Sequence, residues 1–391
     1  MKNVLVIGNG FDIAHGLYTK YIDFYNFCNA IKRVIDDKRE IAIREDIKEK
    51  LLKSEFMKST ANIINNKKIV NDDILEKMIN ICKDNYWLNC IEERNLSNDP
   101  HWCDIEGVIA DEISELSYIA KKYDGSKSNI LNISRSKELA NLFQEVISHA
   151  QKNQSFKTSV YLLKEKLLSD LNDLTWMLEI YLSKFLNRKS KTYKFFETLN
   201  IDYIINFNYT DTYNKLYKKN IPTHFIHGKI RNNDKDTINM VFGIGDSINE
   251  DDDNYEFIEF QKYYQRIIYK TGNDYAKWLD NDEIMNIFIF GHSVNEVDGD
   301  IIKRLIARKH TNIYIYYYDQ QALNSIVANL TRILGKDMII DYTNKNKIVF
   351  LVNDINNQFN ISKDPLVMDH REPVSYTHLD VYKRQMFSYQ T

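Results

Sequence analysis

Proline and glycine are scarce in this chain of 391 residues, with four prolines and twelve glycines, and no proline-rich linker or internal repeat divides it. An excess of either charge sign is also missing: 52 Lys and Arg stand against 55 Asp and Glu, a formal net charge of −3. No global basic field exists to attract nucleic acid, and no local basic patch replaces it. The lysines are interleaved with acids along helical patterns, which reads as solvated helix faces. Cysteine is limited to Cys28, Cys82, Cys90 and Cys103, without a C-x-x-C pair or a histidine spacing of the zinc type, so a structural metal is not expected. Long apolar runs are absent too. The run Ile287-Phe288-Ile289-Phe290 reads as a buried strand, and no run approaches the roughly 18 residues that span a bilayer. No targeting peptide fits ahead of a first strand that starts at the third residue, so a cytoplasmic protein with reduced thiols and no membrane association is expected.

What the chain does have is enough apolar matter, 43%, to bury one large or two ordinary cores. Its opening, Val4-Leu5-Val6-Ile7, suits a strand covered on both faces, as in a parallel sheet. Gly8-Asn9-Gly10-Phe11-Asp12 follows directly, and two glycines after a strand let a backbone pass close to a phosphate. The dinucleotide fingerprint asks for a third glycine where Ile13 stands, so the spacing is only partly met. The bland alternative is a tight strand-to-helix turn with positive φ at Gly8 or Gly10.

Helical patterns dominate from about Tyr18 to Leu199. Ile105, Val108, Ile109 and Ile113 share one face, and Tyr161 to Leu186 keeps a long amphipathic register. Strand character returns at Tyr203-Ile204-Ile205, Thr223 to Ile226, Asn286 to Phe290, Ile313 to Tyr317 and Ile348 to Val352. Helices over Asp300–Lys309 and Gln320–Leu334 lie between, the second closed by Gly335. The acidic run Glu250 to Asp253 reads as a solvated loop. The expected fold is α/β: a Rossmann-like, mostly parallel sheet with a large all-helical insertion after the first strand and loop. Residues 1–22 and 200–362 would form a nucleotide-binding domain and 23–199 the helical subdomain. The stretch from Pro373 to Gln385 resembles a translated linker peptide found at the ends of unrelated reading frames. Residues 373–391 are therefore expected to be a non-native tail, and His378 is no ligand candidate.

In parallel sheets, ligands collect at the carboxyl ends of strands near the point where strand order reverses. Four expected strands end in polar or glycine-containing turns: Gly8 to Asp12, Asn206-Phe207-Asn208-Tyr209-Thr210, His227-Gly228, and Gly291-His292-Ser293 through Asp298. His227 suits acid or base work because its titration lies near neutrality, with a satisfied core histidine as the bland alternative. His224 has the opposite strand parity and takes that bland role. His15 and His292 flank ligand-type loops. Asn208 offers an uncharged amide to a hydroxyl or water, while Asn206 suits strand-end backbone groups. Phe207 and Tyr209 read as core. Trp102, Asp104 and Glu106 read as a helix start with acids at the positive dipole end.

The segment Gly8-Asn9-Gly10-Phe11-Asp12-Ile13-Ala14-His15-Gly16-Leu17, followed by Thr19-Lys20-Tyr21, resembles the N-terminal signature of AbiH-type bacteriophage abortive-infection proteins. Tyr18 replaces a common proline. Trp102-Cys103-Asp104-Ile105-Glu106, Asn206 to Thr210, His227-Gly228, and Gly291-His292-Ser293 with Asp298 continue the resemblance in order. A more distant similarity is to the sirtuin-like NAD-binding fold, where the strand-end Asn and the His of the His-Gly pair act on the nicotinamide ribose. These correspond to Asn208 and His227. Asp12 stands where that fold carries a small hydroxyl residue, and Thr210 where it carries Asp. Its zinc ribbon has no counterpart, so deacylase activity is not expected.

Together these resemblances imply an antiphage protein that binds a nucleotide, NAD, and cleaves its nicotinamide N-glycosidic bond on infection. The alternative is a non-catalytic nucleotide-sensing module acting through a protein partner. Asn208 and His227 would be catalytic. Gly8, Asn9, Gly10, Phe11, Asp12, Gly228, Gly291, His292, Ser293 and Asp298 would hold the ligand, without a metal. A phage-derived trigger or host protein is the implied macromolecular partner, and an oligomer is compatible with the sequence.

Overall fold

The computed structural model describes residues 1–35, 66, 68–97, 104–122, 136–149, 156–186, 190–233, 236–245, 256–280 and 282–352. Trp102, the run Glu250–Asp253 and the tail 373–391 lie outside them. Six strands form one sheet: β1 Lys2–Ile7, β2 Tyr203–Asn206, β3 Thr223–Phe225, β4 Met285–Phe290, β5 Thr311–Tyr317 and β6 Ile348–Val352. The order is β3-β2-β1-β4-β5-β6 and every pairing is parallel. This is a doubly wound order, whose direction reverses between β1 and β4. The α/β, Rossmann-like expectation therefore holds, and all six strands fall where the apolar runs indicated.

Alternation along the strands divides the side chains between two faces. Val4, Val6, Ile205, Ile287, Ile289, Ile313 and Ile315 pack with Leu279, Ile302, Leu305, Leu330 and Ile339. These last come from the helices Asp274–Leu279, Gly299–Ala307, Gln320–Leu334 and Lys336–Asn344. Each fully buried residue of this kind contributes about 1.5–3 kcal/mol. Leu5, Ile7, Phe288 and Phe290 are buried by the opposite parity, and Phe290 stacks on Tyr316 at 3.8 Å between centroids. Near the amino ends of the strands, Asn312 donates to Asn286 at 3.0 Å and Asn286 donates to Asn3 at 3.1 Å. Three strands thus share one amide row.

Gly335 ends Gln320–Leu334 as expected, with φ +83. It also begins Lys336–Asn344, a helix the sequence patterns did not reveal because its apolar face is narrow.

The helical layer comprises Tyr21–Ile35, Asp72–Lys83, Tyr86–Ser97, Ile105–Lys122, Lys137–His149 and Phe156–Ile180, the last running into a π-helical turn over Tyr181–Phe185. Asn71 caps Asp72–Lys83 by accepting from the Ile74 amide at 2.8 Å, with Asp72 and Asp73 in the first turn and Lys83 in the last. Cap and end charges all favour the helix dipole. Ile105, Val108, Ile109 and Ile113 are buried as their spacing required. They join Phe24, Trp87, Leu167 and Tyr181 in a hydrophobic cluster that also takes in Phe242 and Phe260. Glu179, at the end of the long helix, holds Arg231 at 2.6 Å in the loop after β3.

One compact unit contains both Met1–Thr192 and Ile201–Asn353, so the helical segment expected over 23–199 falls in the same unit as the sheet only as far as Thr192, and its hydrophobic cluster also takes in Met240, Phe242, Ile244, Phe257 and Phe260 from beyond it. Tyr193–Asn200 belongs to a second, small unit. Among its described residues is the helix Lys194–Thr198.

Candidate functional site

The exits of β1 and β4 are pressed backbone to backbone. The Gly10 amide donates to the Gly291 carbonyl at 2.7 Å. A methyl group on Gly8 would come within 2.8 Å of that carbonyl oxygen, and one on Gly10 within 2.7 Å of the Gly291 Cα. Gly291 itself has φ +62, and a Cβ there would meet the Phe11 amide nitrogen at 2.1 Å. Neither Gly8 nor Gly10 has positive φ, so the bland alternative of a left-handed turn at those residues fails. What these glycines permit is contact between two loops at the point of strand reversal.

The β2 exit is wired to the β1 exit. Asn206 accepts from the Asn208 amide at 2.8 Å and donates to the Thr210 carbonyl at 2.8 Å, which is the backbone role its strand-end position suggested. Asn208 donates its side-chain amide to the Gly8 carbonyl at 3.0 Å. The Thr210 hydroxyl donates to Asp12 Oδ2, while Asp12 Oδ1 is buried without a hydrogen-bond partner. Burial pushes the Asp12 carboxyl up to about 6, against the opposing pull of the Thr210 hydroxyl and of Thr212 and Asn208 close by.

His227, at the β3 exit, is held by its backbone: the Val241 amide donates to its carbonyl at 2.8 Å. Gly228 then turns with φ +73, directly against the Asn239 carbonyl. The imidazole Nε2 lies 2.9 Å from Asp298 Oδ1. That approach is not aligned as a hydrogen bond, and both ring nitrogens remain buried without an aligned partner. His292 faces the same carboxylate, with Nε2 at 3.6 Å from Oδ2. Its Nδ1 accepts from the Val294 amide at 2.9 Å, which puts the His292 ring proton on Nε2.

A buried lysine completes the group. Lys262 Nζ lies 2.9 Å from Glu106 Oε2 and 3.7 Å from Asp298 Oδ1, and Tyr21 donates to the other oxygen of Glu106 at 2.7 Å. Burial would lower the Lys262 pKa, but Asp298 and Glu106 hold it above the usual lysine value. Burial would likewise raise Asp298, yet Lys262 and His227 hold it well below the carboxylate range. His227 is lowered by burial and by Lys262, against the pull of Asp298. At neutral pH the group therefore contains an ammonium, an ionised Asp298 and an uncharged His227 that can take up a proton.

These parts surround one cleft of about 450 Å³. Of the residues expected to serve a ligand, Gly8, Asn9, Gly10, Asp12, Asn208, His227, Gly291, His292, Ser293 and Asp298 all line it. Phe11 and Gly228 do not. Phe11 is buried under His15, 4.2 Å between centroids, and Gly228 packs on Asn239. His15 is structural: Nδ1 lies 2.7 Å from the Phe11 carbonyl and Nε2 2.7 Å from the Tyr217 hydroxyl. His224 packs against Tyr275, the core role its parity indicated.

The cleft also holds residues the sequence patterns assigned elsewhere or passed over. Asp104 does cap Ile105–Lys122, accepting from the Gly107 amide at 3.0 Å, but Glu106 turns into the cleft instead of merely serving the helix dipole. Phe207 and Tyr209, read as core, line the cleft as well. Lys262 belongs to no motif; its only signal is a lysine at the start of a short helix, where a cation opposes the dipole. Leu178 and Leu182 bring an apolar wall from the long helix and its π-helical turn.

Among known families, the one described as Bacteriophage abortive infection AbiH matches residues 4–319. No curated protein and no solved structure matches the chain. No described helix is long and apolar enough to cross a membrane.

Proposed function

The chain belongs to the AbiH family of bacteriophage abortive-infection proteins, and from that premise we propose that its cleft binds a nucleotide, NAD, and cleaves the nicotinamide N-glycosidic bond on infection. The single observation carrying this reading is the approach of His227 to Asp298 beside Asn208, at the strand-reversal point of a parallel sheet. Such points are where sheets of this kind take nucleotides. An imidazole that is uncharged at neutral pH can accept a proton, and the Asp298 carboxylate beside it stabilises the imidazolium that forms.

In the reaction, water adds to the ribose anomeric carbon as the bond to nicotinamide breaks. Nicotinamide leaves with the bonding pair, and the water proton passes to His227. The products are nicotinamide, ADP-ribose and a proton. The oxocarbenium-like transition state is cationic, and Asp298 and Glu106 supply negative charge in the same cleft. Asp12 and Thr210, the two positions that depart from the sirtuin-like pattern, bond to each other in the wall of the cleft.

The test is to incubate the full chain with NAD, with and without lysate from phage-infected cells, and to follow nicotinamide by chromatography. Release that disappears in the Asn208→Ala, His227→Ala double variant is the expected result. Undiminished NAD under both conditions would rule cleavage out.

One observation favours the second reading, a nucleotide sensor without turnover: the Asn208 side-chain amide is committed to the Gly8 carbonyl, a structural use. Saturable NAD binding with the ligand recovered intact would establish that reading, with a phage-derived trigger or host protein as its partner.

A further inference from the structure

Glu106 and Lys262 come from different parts of the chain, the helical layer and the segment ahead of β4, yet they meet in the wall of the cleft at 2.9 Å. Their side chains are 18% and 5% exposed. Burying a lysine is costly unless counter-charges surround it, and two surround this one. Glu106 is itself fixed by the Tyr21 hydroxyl, and Lys262 by the start of its helix, where its amide donates to the Ile244 carbonyl at 2.8 Å. On the far side stands Asp298, 3.7 Å from the ammonium and 2.9 Å from His227. The series Tyr21, Glu106, Lys262, Asp298, His227 is continuous.

We propose that the Glu106–Lys262 ion pair is a positioning element for His227, acting on the imidazole directly through its two opposed charges as well as through Asp298, making the helical layer a working part of the site. The ammonium stabilises Asp298 as a carboxylate and fixes where its oxygens lie. Glu106 holds the ammonium back, so that Asp298 stays close to the imidazole and is not drawn wholly onto Lys262. The groups facing His227 are Asp298, Lys262 and Glu106, with His292 on the other oxygen of Asp298. Neither member of the pair is required to touch a ligand. The proposal rests on the His227 reading above, but its test does not need turnover.

The experiment is an NMR titration of the His227 ring in the full chain, with histidine isotope labelling and assignment by loss of the signal in His227→Gln. Lys262→Met removes a cation near the ring, and the midpoint should rise by about one pH unit. Glu106→Gln frees the ammonium to move toward Asp298, and the midpoint should fall. Lys262→Arg keeps the charge and should leave the midpoint near that of the parent. A purely structural pair would alter stability without moving the midpoint in opposite directions.

If either single variant fails to fold, Lys262→Met with Glu106→Gln avoids leaving a lone member of the ion pair. Because Lys262 acts on His227 more strongly than Glu106 does, the midpoint of this double variant should still rise. Unmoved midpoints in folded variants, or shifts of one sign in the two single variants, would overturn the proposal. Absence of NAD cleavage alongside the expected shifts would instead remove only the enzymatic reading.

Discussion

Thr210 donates its hydroxyl hydrogen to the carboxylate of Asp12, joining the exits of β1 and β2 across 198 residues of sequence. Thr212 in turn donates to Thr210 at 3.1 Å. Removing the middle hydroxyl leaves Asp12, already buried with one unpartnered oxygen, short of a second bond. Thr210→Val should therefore cost about 1–3 kcal/mol, measured by urea denaturation at pH 7. A cost near zero would mean that the carboxyl finds another donor.

Asp12 and His15 give opposing pH dependences. The Asp12 carboxyl is pushed from 3.8 up to about 6, so between those values the unfolded chain has lost a proton that the folded chain keeps, and stability falls as pH rises. His15 is pushed by burial from 6.5 down to about 4. Between those values the unfolded chain keeps a proton that the folded chain has lost, and stability rises with pH. Each effect is on the order of 3 kcal/mol, and they largely cancel from pH 4 to 6. Asp12→Asn removes one side of the balance. Its stability should climb with pH over that window more steeply than that of the parent, and parallel profiles would contradict the assignment.

The glycines divide by what surrounds them. Gly291→Ala combines positive φ with a contact at 2.1 Å from the Phe11 amide and should cost more than about 3 kcal/mol, or prevent folding. Gly335→Ala meets nothing within 4 Å, but its φ of +83 with ψ of 149 lies outside the left-handed helical region, and it should cost about 1–3 kcal/mol. Thermal melts of the two variants make the comparison.

His224 within β3 and His227 at its exit should separate function from stability. If the cleft turns over NAD, His227→Ala should slow nicotinamide release by roughly 10²–10⁴-fold, while His224→Phe should retain turnover and change only the melting temperature. Equal losses in both variants would point to a general structural defect.

Glu179 and Arg231 test how firmly the helical layer is tied to the β3 exit. Their side chains are 3% and 15% exposed, and Arg231 donates through both Nε and Nη2. Glu179→Gln should destabilise by about 3–5 kcal/mol, whereas Glu179→Met with Arg231→Met should cost much less. Denaturant midpoints distinguish the two cases.

The sheet was legible because β1 and β4 are short apolar runs buried on both faces, as central parallel strands are, and because β2, β5 and β6 carry apolar residues between turns, whereas in β3 only Phe225 is apolar. Val4 to Ile7 and Asn286 to Phe290 could hardly be anything else. The cleft was legible where loops announced themselves: Gly8, Gly10, Asn208, His227 and Gly291 each lie within three residues of a strand's end. Lys262 and the cleft-facing role of Glu106 were not legible. Its position at the start of a short helix is the one local feature that sets Lys262 apart, and only tertiary contact between distant segments neutralises it. Asp298 was marked as a ligand contact, whereas its nearest protein partner is an imidazole. The glycine pair was read through a phosphate or a positive φ, and the structure adds a third reason, the pressure of Gly291. Such pairwise demands cannot be read from either segment alone.

The row formed by Asn3, Asn286 and Asn312 has a consequence at the opposite end of its strands. These amides match only when β1, β4 and β5 are aligned residue for residue, as they are, and a slip by one would turn every side chain of the slipped strand to the wrong face. Five residues further along, about 16 Å away, that alignment brings Gly8 and Gly291 level with each other. Polar groups that touch no ligand therefore act as a ruler for the cleft, and damage to the ruler should be felt as misalignment at a distance.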